Sequence, residues 1–397
     1  MVFAETMTGC TGEEILMRQP EDLFDADSDW FRYPSGRMTA TPIASNRRRH
    51  IQVRGVVQGV GFRPFVYKLA HSLGLTGSVF NSSSGVTIEV EGPETDLDTF
   101  LNSLKTDTPQ LATITGMDVA WLETRGDTDF SILHSQEQPG RFSLIPADAG
   151  TCDACWRDFS DPENRRYGYP FTNCTHCGPR YTIIQDIPYD RAATTMAAFT
   201  MCAACAAEYA DPNDRRFHAQ PNACPVCGPS LELIARGASS SECAFTDRDS
   251  LAKIRAARSL LKSGSILAVK GLGGFLLACD ASNSAAVTEL RRRKRRSDKP
   301  FALMARDMSA VRAFCHVSAA DEAALLDVRR PIVVLPRLPG IQIADEVAPG
   351  NDTLGVMLPY TPLHYLLFSD SPERPSPKDG STPLCRTPGS PRAGSHS

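Results

Sequence analysis

No apolar run in the sequence approaches the roughly 20 residues needed to cross a bilayer as a helix. The first residues, MVFAETMTGCTGEEILMRQPEDLF, are acidic and lack the basic start and apolar core of a secretory leader. Charge of neither sign dominates. A net charge of −4 and a pI near 6.1 predict no general affinity for nucleic acid or membrane surfaces. With no export signal, the thirteen cysteines argue for metal rather than disulfides, and the expected compartment is the cytoplasm. The 397 residues, 42% of them hydrophobic, suffice for two or three domains.

Residues 50–91 carry the first chemistry. Alternating Ile51, Val53 and Val57 predict a strand, which breaks into a loop of Gln58, Gly59, Val60, Gly61 and Phe62. Arg63-Pro64 then opens a helix with Phe62, Phe65, Val66, Leu69, Ala70 and Leu73 on one face and Gly74 at its C-terminal cap. A glycine loop and an arginine at a helix start make an anion cradle. Backbone N–H groups and the helix dipole point at one spot, and the guanidinium closes it. Residues 75–81 and 85–91 read as a hairpin, 95–104 as a second helix and 114–133 as a last strand or strand pair. That order is the split βαβ, ferredoxin-like arrangement. The segment resembles the acylphosphatase family, whose fingerprint is V-x-G-x-V-Q-G-V-x-F-R followed by a G-x-V-x-N strand. The resemblance implies a phosphate held by the 58–62 loop and Arg63, and an attacking water positioned by Asn81. Upstream, residues 1–48 show no periodicity and read as a mobile extension, their closing Arg47-Arg48-Arg49 as a solvated run.

An internal repeat follows. Cys152-x2-Cys155 and, eighteen residues on, Cys174-x2-Cys177 recur fifty residues later as Cys202-x2-Cys205 and Cys224-x2-Cys227. The surroundings repeat too, DPENRRYGYPFTNCTHCGP against DPNDRRFHAQPNACPVCGP. Two such pairs are what a tetrahedral zinc requires, so the pattern predicts two Zn²⁺ ions held by eight thiolates. Redox C-x-x-C pairs are a weaker reading of four tandem pairs without a thioredoxin-like context. His176 and His218 are then structural or interfacial. The modules lack the basic, base-reading helix of nucleic-acid fingers and read as structural staples.

From about residue 245 the pattern is α/β: a helix over 248–263, strands over 266–270, 276–279, 301–304 and 331–335, and a helix from Ser284 ending in Arg291-Arg-Arg-Lys-Arg-Arg296. On charge alone, Lys270, Lys294, Arg295 and Lys299 fit a solvated basic face better than a polyphosphate site. AVKGLGGFLLACDA followed by ELRRRKRRSDKPFALM resembles the YrdC/Sua5 family, which binds ATP and makes acyl-adenylates. The resemblance implies that those four residues bind nucleotide. The S-x-N segment expected later in that family is absent, and residues 369–397, rich in Ser, Pro and Gly, read as a disordered tail.

The expected fold class is thus α+β multidomain. It comprises a ferredoxin-like acylphosphatase domain (49–135), a duplicated zinc-finger region (145–235) and an incomplete YrdC-like α/β domain (245–368). This order resembles the HypF family of carbamoyltransferases in [NiFe]-hydrogenase maturation. The resemblance implies hydrolysis of carbamoyl phosphate and formation of carbamoyl-adenylate with ATP and Mg²⁺. It also implies transfer to the C-terminal cysteine of a HypE-type acceptor, the carbamoyl group becoming the cyanide ligand. Transfer belongs to a further domain of that family, so the chain reads as C-terminally truncated. A second class of function, a non-catalytic protein gripping double-stranded RNA through residues 291–296, is weighed against by the acidic pI.

Overall fold

The computed structural model describes residues 1–5, 46–136, 144–234 and 249–369; most of the expected extension (6–45) and the tail (370–397) lie outside these. The first strand, β1 (Val2–Glu5), pairs with strands far downstream. The first complete domain runs β2 (Arg47–Val56), α1 (Phe62–Ser72), β3 (Thr76–Ser82), β4 (Gly85–Gly92), α2 (Glu94–Thr106), β5 (Thr113–Leu122) and β6 (Phe130–Ile132). Its sheet has the order β5-β2-β4-β3-β6. Only β3 and β6 run parallel in it. The apolar stripe of α1 (Phe62, Val66, Ala70) and that of α2 (Leu97, Phe100, Leu104) close over Ile51, Val53, Val79 and Ile88. Each such side chain contributes roughly 1.5–3 kcal/mol of burial. At the end of α1, Gly74 adopts φ 63° while Leu75 N–H reaches back to the Ala70 carbonyl, the closure expected of a glycine cap.

Arg47, Arg48 and Arg49 depart from the expected solvated run, because they lie inside β2. Arg48 is 2% exposed and pairs with Glu89 (2.6 Å), Glu91 (3.2 Å) and Asp127 (2.5 Å). Arg49 pairs with Asp98 at 2.7 Å. Carboxylates brought up by β4, α2 and the 127 loop, invisible to a count of charges along the chain, hold Arg48 and Arg49 inward while Arg47 stays part-exposed.

The finger region contains two short helices, α3 (Asp153–Ser160) and α4 (Ala203–Ala210), each beginning directly after the first cysteine of its module. The last domain has α5 (Ser250–Lys262), β7 (Leu267–Lys270), β8 (Phe275–Cys279), α6 (Ser284–Lys294), β9 (Ala302–Met304), α7 (Met308–Phe314), α8 (Ala319–Leu326), β10 (Val333–Pro336), β11 (Thr353–Met357) and α9 (Pro362–Phe368). Its sheet order is β10-β11-β9-β1-β8-β7. β1 therefore fills the space between β8 and β9, and Val2 enters the core with Val287, Leu290 and Leu303. Residues 2–5 are strand rather than extension because two strands there offer unpaired backbone to an apolar segment. Among the described residues no helix is long and apolar enough to cross a membrane.

Candidate active site and metal centres

The loop between β2 and α1 bends through Gly59 (φ 67°) and Gly61 (φ 78°), left-handed positions that disfavour side chains. Space is tight at Gly59 as well, where a Cβ would stand 3.1 Å from the Tyr189 ring. Val60 and Phe62 are buried in the core, so their side chains hold the loop. Among the described residues, the N–H groups of Val60, Gly61 and Phe62 have no acceptor. The Gln58 side chain turns into the protein rather than toward the cradle. Its Nε2 donates to the carbonyls of Ser82 and Gly85 (2.7 and 2.8 Å), and its Oε1 accepts from the Tyr189 amide at 2.9 Å. Its side chain is thus a brace between hairpin and finger.

Arg63, at the first turn of α1, and Asn81, on β3, converge. Both are buried, and both donate to the Tyr189 carbonyl oxygen, Arg63 Nη2 at 3.3 Å and Asn81 Nδ2 at 3.1 Å. Arg63 Nη2 also pairs with Asp190 Oδ1 at 2.7 Å, and Asp190 accepts from the Ser135 hydroxyl. Asn81 Oδ1 is buried with no donor among the described residues. A small cleft is bounded on one side by Gly59, Gly61 and Arg63 and on the other by Thr175, Tyr189 and His218 of the finger region. Burial first, then the neighbouring Arg63, pushes the His218 imidazole down to about 4, against the opposite pull of Asp190.

The sulfur atoms of Cys152, Cys155, Cys174 and Cys177 lie within 4.8 Å of one another, as do those of Cys202, Cys205, Cys224 and Cys227. Neighbouring Sγ pairs are 3.6–3.9 Å apart. Four thiolates about 2.3 Å from a tetrahedral zinc stand about 3.8 Å from one another, whereas a disulfide needs about 2.05 Å. The two sets fit zinc, which when bound would cross-link each module.

The surrounding arginines are exchanged between modules. Arg165 of the first finger donates to Cys205 Sγ of the second (3.4 Å) and pairs with Glu208 (2.6 Å), and Arg166 joins the same carboxylate at 2.6 Å. In return, Arg215 of the second donates to Cys155 Sγ of the first (2.9 Å), and Arg215 and Arg216 both pair with Asp158. Arg166 Nε donates to the carbonyl of Ala223, just before Cys224, and Arg216 Nε to that of Asn173, just before Cys174 (2.9 and 3.1 Å). Burial alone would raise the Glu208 carboxyl; the hydrogen bonds from Arg166 and Arg165 outweigh it and hold the group down at about 2. Both copies of the repeat carry this Arg-Arg pair, but sequence spacing gives no sign that each serves the other module.

In the last domain, Lys270 ends β7 with its Nζ 5.0 Å from the Phe275 ring centre. Lys294 closes α6, Arg295 follows in a left-handed conformation (φ 50°), and Lys299 lies on the next turn. The basic run is not one continuous exposed patch. Arg291 turns inward, donating to the carbonyls of Ser297 (2.9 Å) and Val347 (3.2 Å) and stacking on Phe301. Arg292 and Arg293 pair with Glu289, both at 2.6 Å. That weighs further against duplex RNA as the ligand.

Comparison with known proteins assigns each part. The acylphosphatase family matches residues 49–132, the HypF finger family matches 151–184 and again 201–234, and the Sua5/YciO/YrdC family, described as telomere recombination, matches 259–375. Fold and site therefore define a protein in which an acylphosphatase unit is joined, through paired four-cysteine fingers, to a Sua5-type α/β unit. The chain is 48% identical to carbamoyltransferase HypF of Rhizobium leguminosarum bv. viciae, over 83% of this chain and 40% of that protein. It is 43% identical to the acylphosphatase of Thermotoga maritima, over 21% of this chain and 93% of that protein. A crystal structure of full-length HypF in the phosphate- and nucleotide-bound form superposes with a TM-score of 0.77 at 48% identity, over 83% of this chain and 42% of that one. The chain belongs to the HypF family. It spans about 40% of the length of the curated HypF relatives it matches.

Proposed function

We propose that this chain carries the carbamate-forming and carbamate-activating half-reactions of a HypF-type carbamoyltransferase. The carrying observation is the convergence of Arg63 and Asn81 on one oxygen, the Tyr189 carbonyl. That oxygen stands where an oxygen of substrate or water would be held. Carbamoyl phosphate docks its phosphate on the amides of the 59–62 loop and on Arg63, taking the place of Asp190. Water, donating a hydrogen bond to the orphaned Asn81 Oδ1, attacks phosphorus. The P–O bond to the acyl group breaks, giving carbamate and inorganic phosphate. Positioning and charge stabilisation supply the acceleration.

Carbamate then reacts with ATP in the Sua5-type domain to give carbamoyl-adenylate and pyrophosphate. Mg²⁺, Lys270, Lys294, Arg295 and Lys299 neutralise the triphosphate. Phosphate and nucleotide in the relative's structure support two anion sites of this kind. Delivery to a HypE-type acceptor completes the family's reaction, and eight thiols kept for metal suit a cytoplasmic setting. The test is phosphate release from carbamoyl phosphate by the zinc-loaded protein. Release that disappears in Arg63→Ala is expected; no release from folded, loaded protein overturns the reading.

A further inference from the structure

One buried arginine ties the phosphate loop to the first finger. Arg180, 1% exposed, spreads its guanidinium over four carbonyl oxygens. Nε donates to Gly59 of the loop at 2.8 Å, Nη2 to Cys174 at 3.0 Å and Thr175 at 2.7 Å, and Nη1 to Cys177. Its own amide is clamped by Asp148 Oδ1 at 2.6 Å. Three of the four acceptors thus belong to the turn carrying two metal-ligating thiols; the fourth belongs to the anion cradle.

The consequence follows from peptide planarity. The Gly59 carbonyl and the Val60 N–H lie on opposite edges of one rigid unit, so fixing the first fixes the second. Held toward the finger by Arg180, the carbonyl forces the Val60 N–H to face away from it, at the start of the run of amides that lack acceptors. Glycine at 59, with φ 67°, would otherwise let this peptide rotate. We infer that Arg180 is a positioning residue for phosphate binding, and that through it the acylphosphatase loop depends on the folded first knuckle. This rests on the acylphosphatase reading of the loop.

The test compares the full zinc-loaded chain with Arg180→Lys, which keeps the charge but cannot span four acceptors. Zinc content, the Kd for inorganic phosphate, and kcat and KM for carbamoyl phosphate are measured. The expected result is retained zinc with a Kd and KM raised about tenfold, the usual scale for loss of an orienting contact behind a site. Retained zinc with unchanged phosphate affinity overturns the role. If Arg180→Lys does not fold, Asp148→Asn removes the charge that clamps the Arg180 amide, so the guanidinium keeps its charge but loses its fixed reach to Gly59. It should raise the phosphate Kd in the same direction, and an unchanged Kd overturns the role equally. Arg63→Ala is run beside both. If it binds phosphate normally, the acylphosphatase reading itself fails; if it alone loses binding, only the role of Arg180 falls.

Discussion

Arg63 Nη2 and Asn81 Nδ2 donate to the same atom, the carbonyl oxygen of Tyr189, at 3.3 and 3.1 Å. One residue comes from a helix start and the other from the end of a strand, and the shared acceptor comes from the segment between the two fingers, more than a hundred residues later. On the proposed reading, the cation would serve an anion and the neutral amide a water, both now gathered on one backbone oxygen.

The two should fail differently. Removing Arg63 takes away a charge stabilising the transferring phosphoryl group. Arg63→Ala is therefore expected to raise the barrier by roughly 4–7 kcal/mol, as for other transition-state arginines. Asn81→Ala should lower kcat about 10²-fold, the scale for misplacing a reacting group, here the attacking water, with little change in phosphate affinity. Steady-state release of phosphate from carbamoyl phosphate separates them.

Asp190 occupies the guanidinium that substrate needs, 2.7 Å from Arg63 Nη2. A phosphate dianion must take over that hydrogen bond in the presence of a like charge. Asp190→Asn should tighten binding of inorganic phosphate roughly tenfold, the worth of about 1.5 kcal/mol for one charged hydrogen bond. Calorimetry at fixed ionic strength gives the answer, and weaker binding would show that the carboxylate assists rather than competes.

Metal retention should reveal the exchange of arginines. Arg166 sits in the first finger but acts on Glu208, Asn222 and Cys205 of the second. Arg166→Met is expected to weaken zinc at the second cysteine set about 10–100-fold while sparing the first. Chelator competition on single-site cysteine variants reads this out, and loss from the first set would contradict the assignment.

His218 gives stability a pH dependence of definite sign. Its folded value is pushed down from 6.5 to about 4, so the unfolded chain binds more protons in between. Stability should fall as pH drops from about 6.5 toward 4 and recover as it rises. His218→Gln should flatten part of that slope in thermal midpoints measured between pH 7.5 and pH 5. Part of it persists because His364, buried and pushed down to about 3, acts in the same direction.

Features written in local spacing could be read from the chain. The turn through Gly59 and Gly61 into a helix and the two sets of four cysteines are set by short-range geometry and lie where their spacing implied, whereas Arg63 and Asn81 are assigned their roles by family resemblance. Tyr189 and Asp190 could not be read, because a backbone carbonyl has no residue signature and the segment carrying it has no periodicity. Arg291 was hidden for another reason. Arg292 and Arg293 beside it are exposed, and the carbonyls of residues 296–299, the Phe301 ring and the carbonyls of Glu346 and Val347, more than fifty residues on, draw it inward. The strand at residues 2–5 needed partners 270 or more residues away. No local pattern contains such information.

The reciprocal exchange between the fingers has the geometry of an isologous contact, the kind made by two identical subunits about a two-fold axis. A solitary finger would present an arginine pair and an acidic receiver with neither satisfied, and its best complement would be another copy of itself. Tandem duplication puts both partners on one polypeptide at high effective concentration. It removes the dependence on dilution that a true dimer would have, and leaves each half free to diverge on the surface facing the cleft.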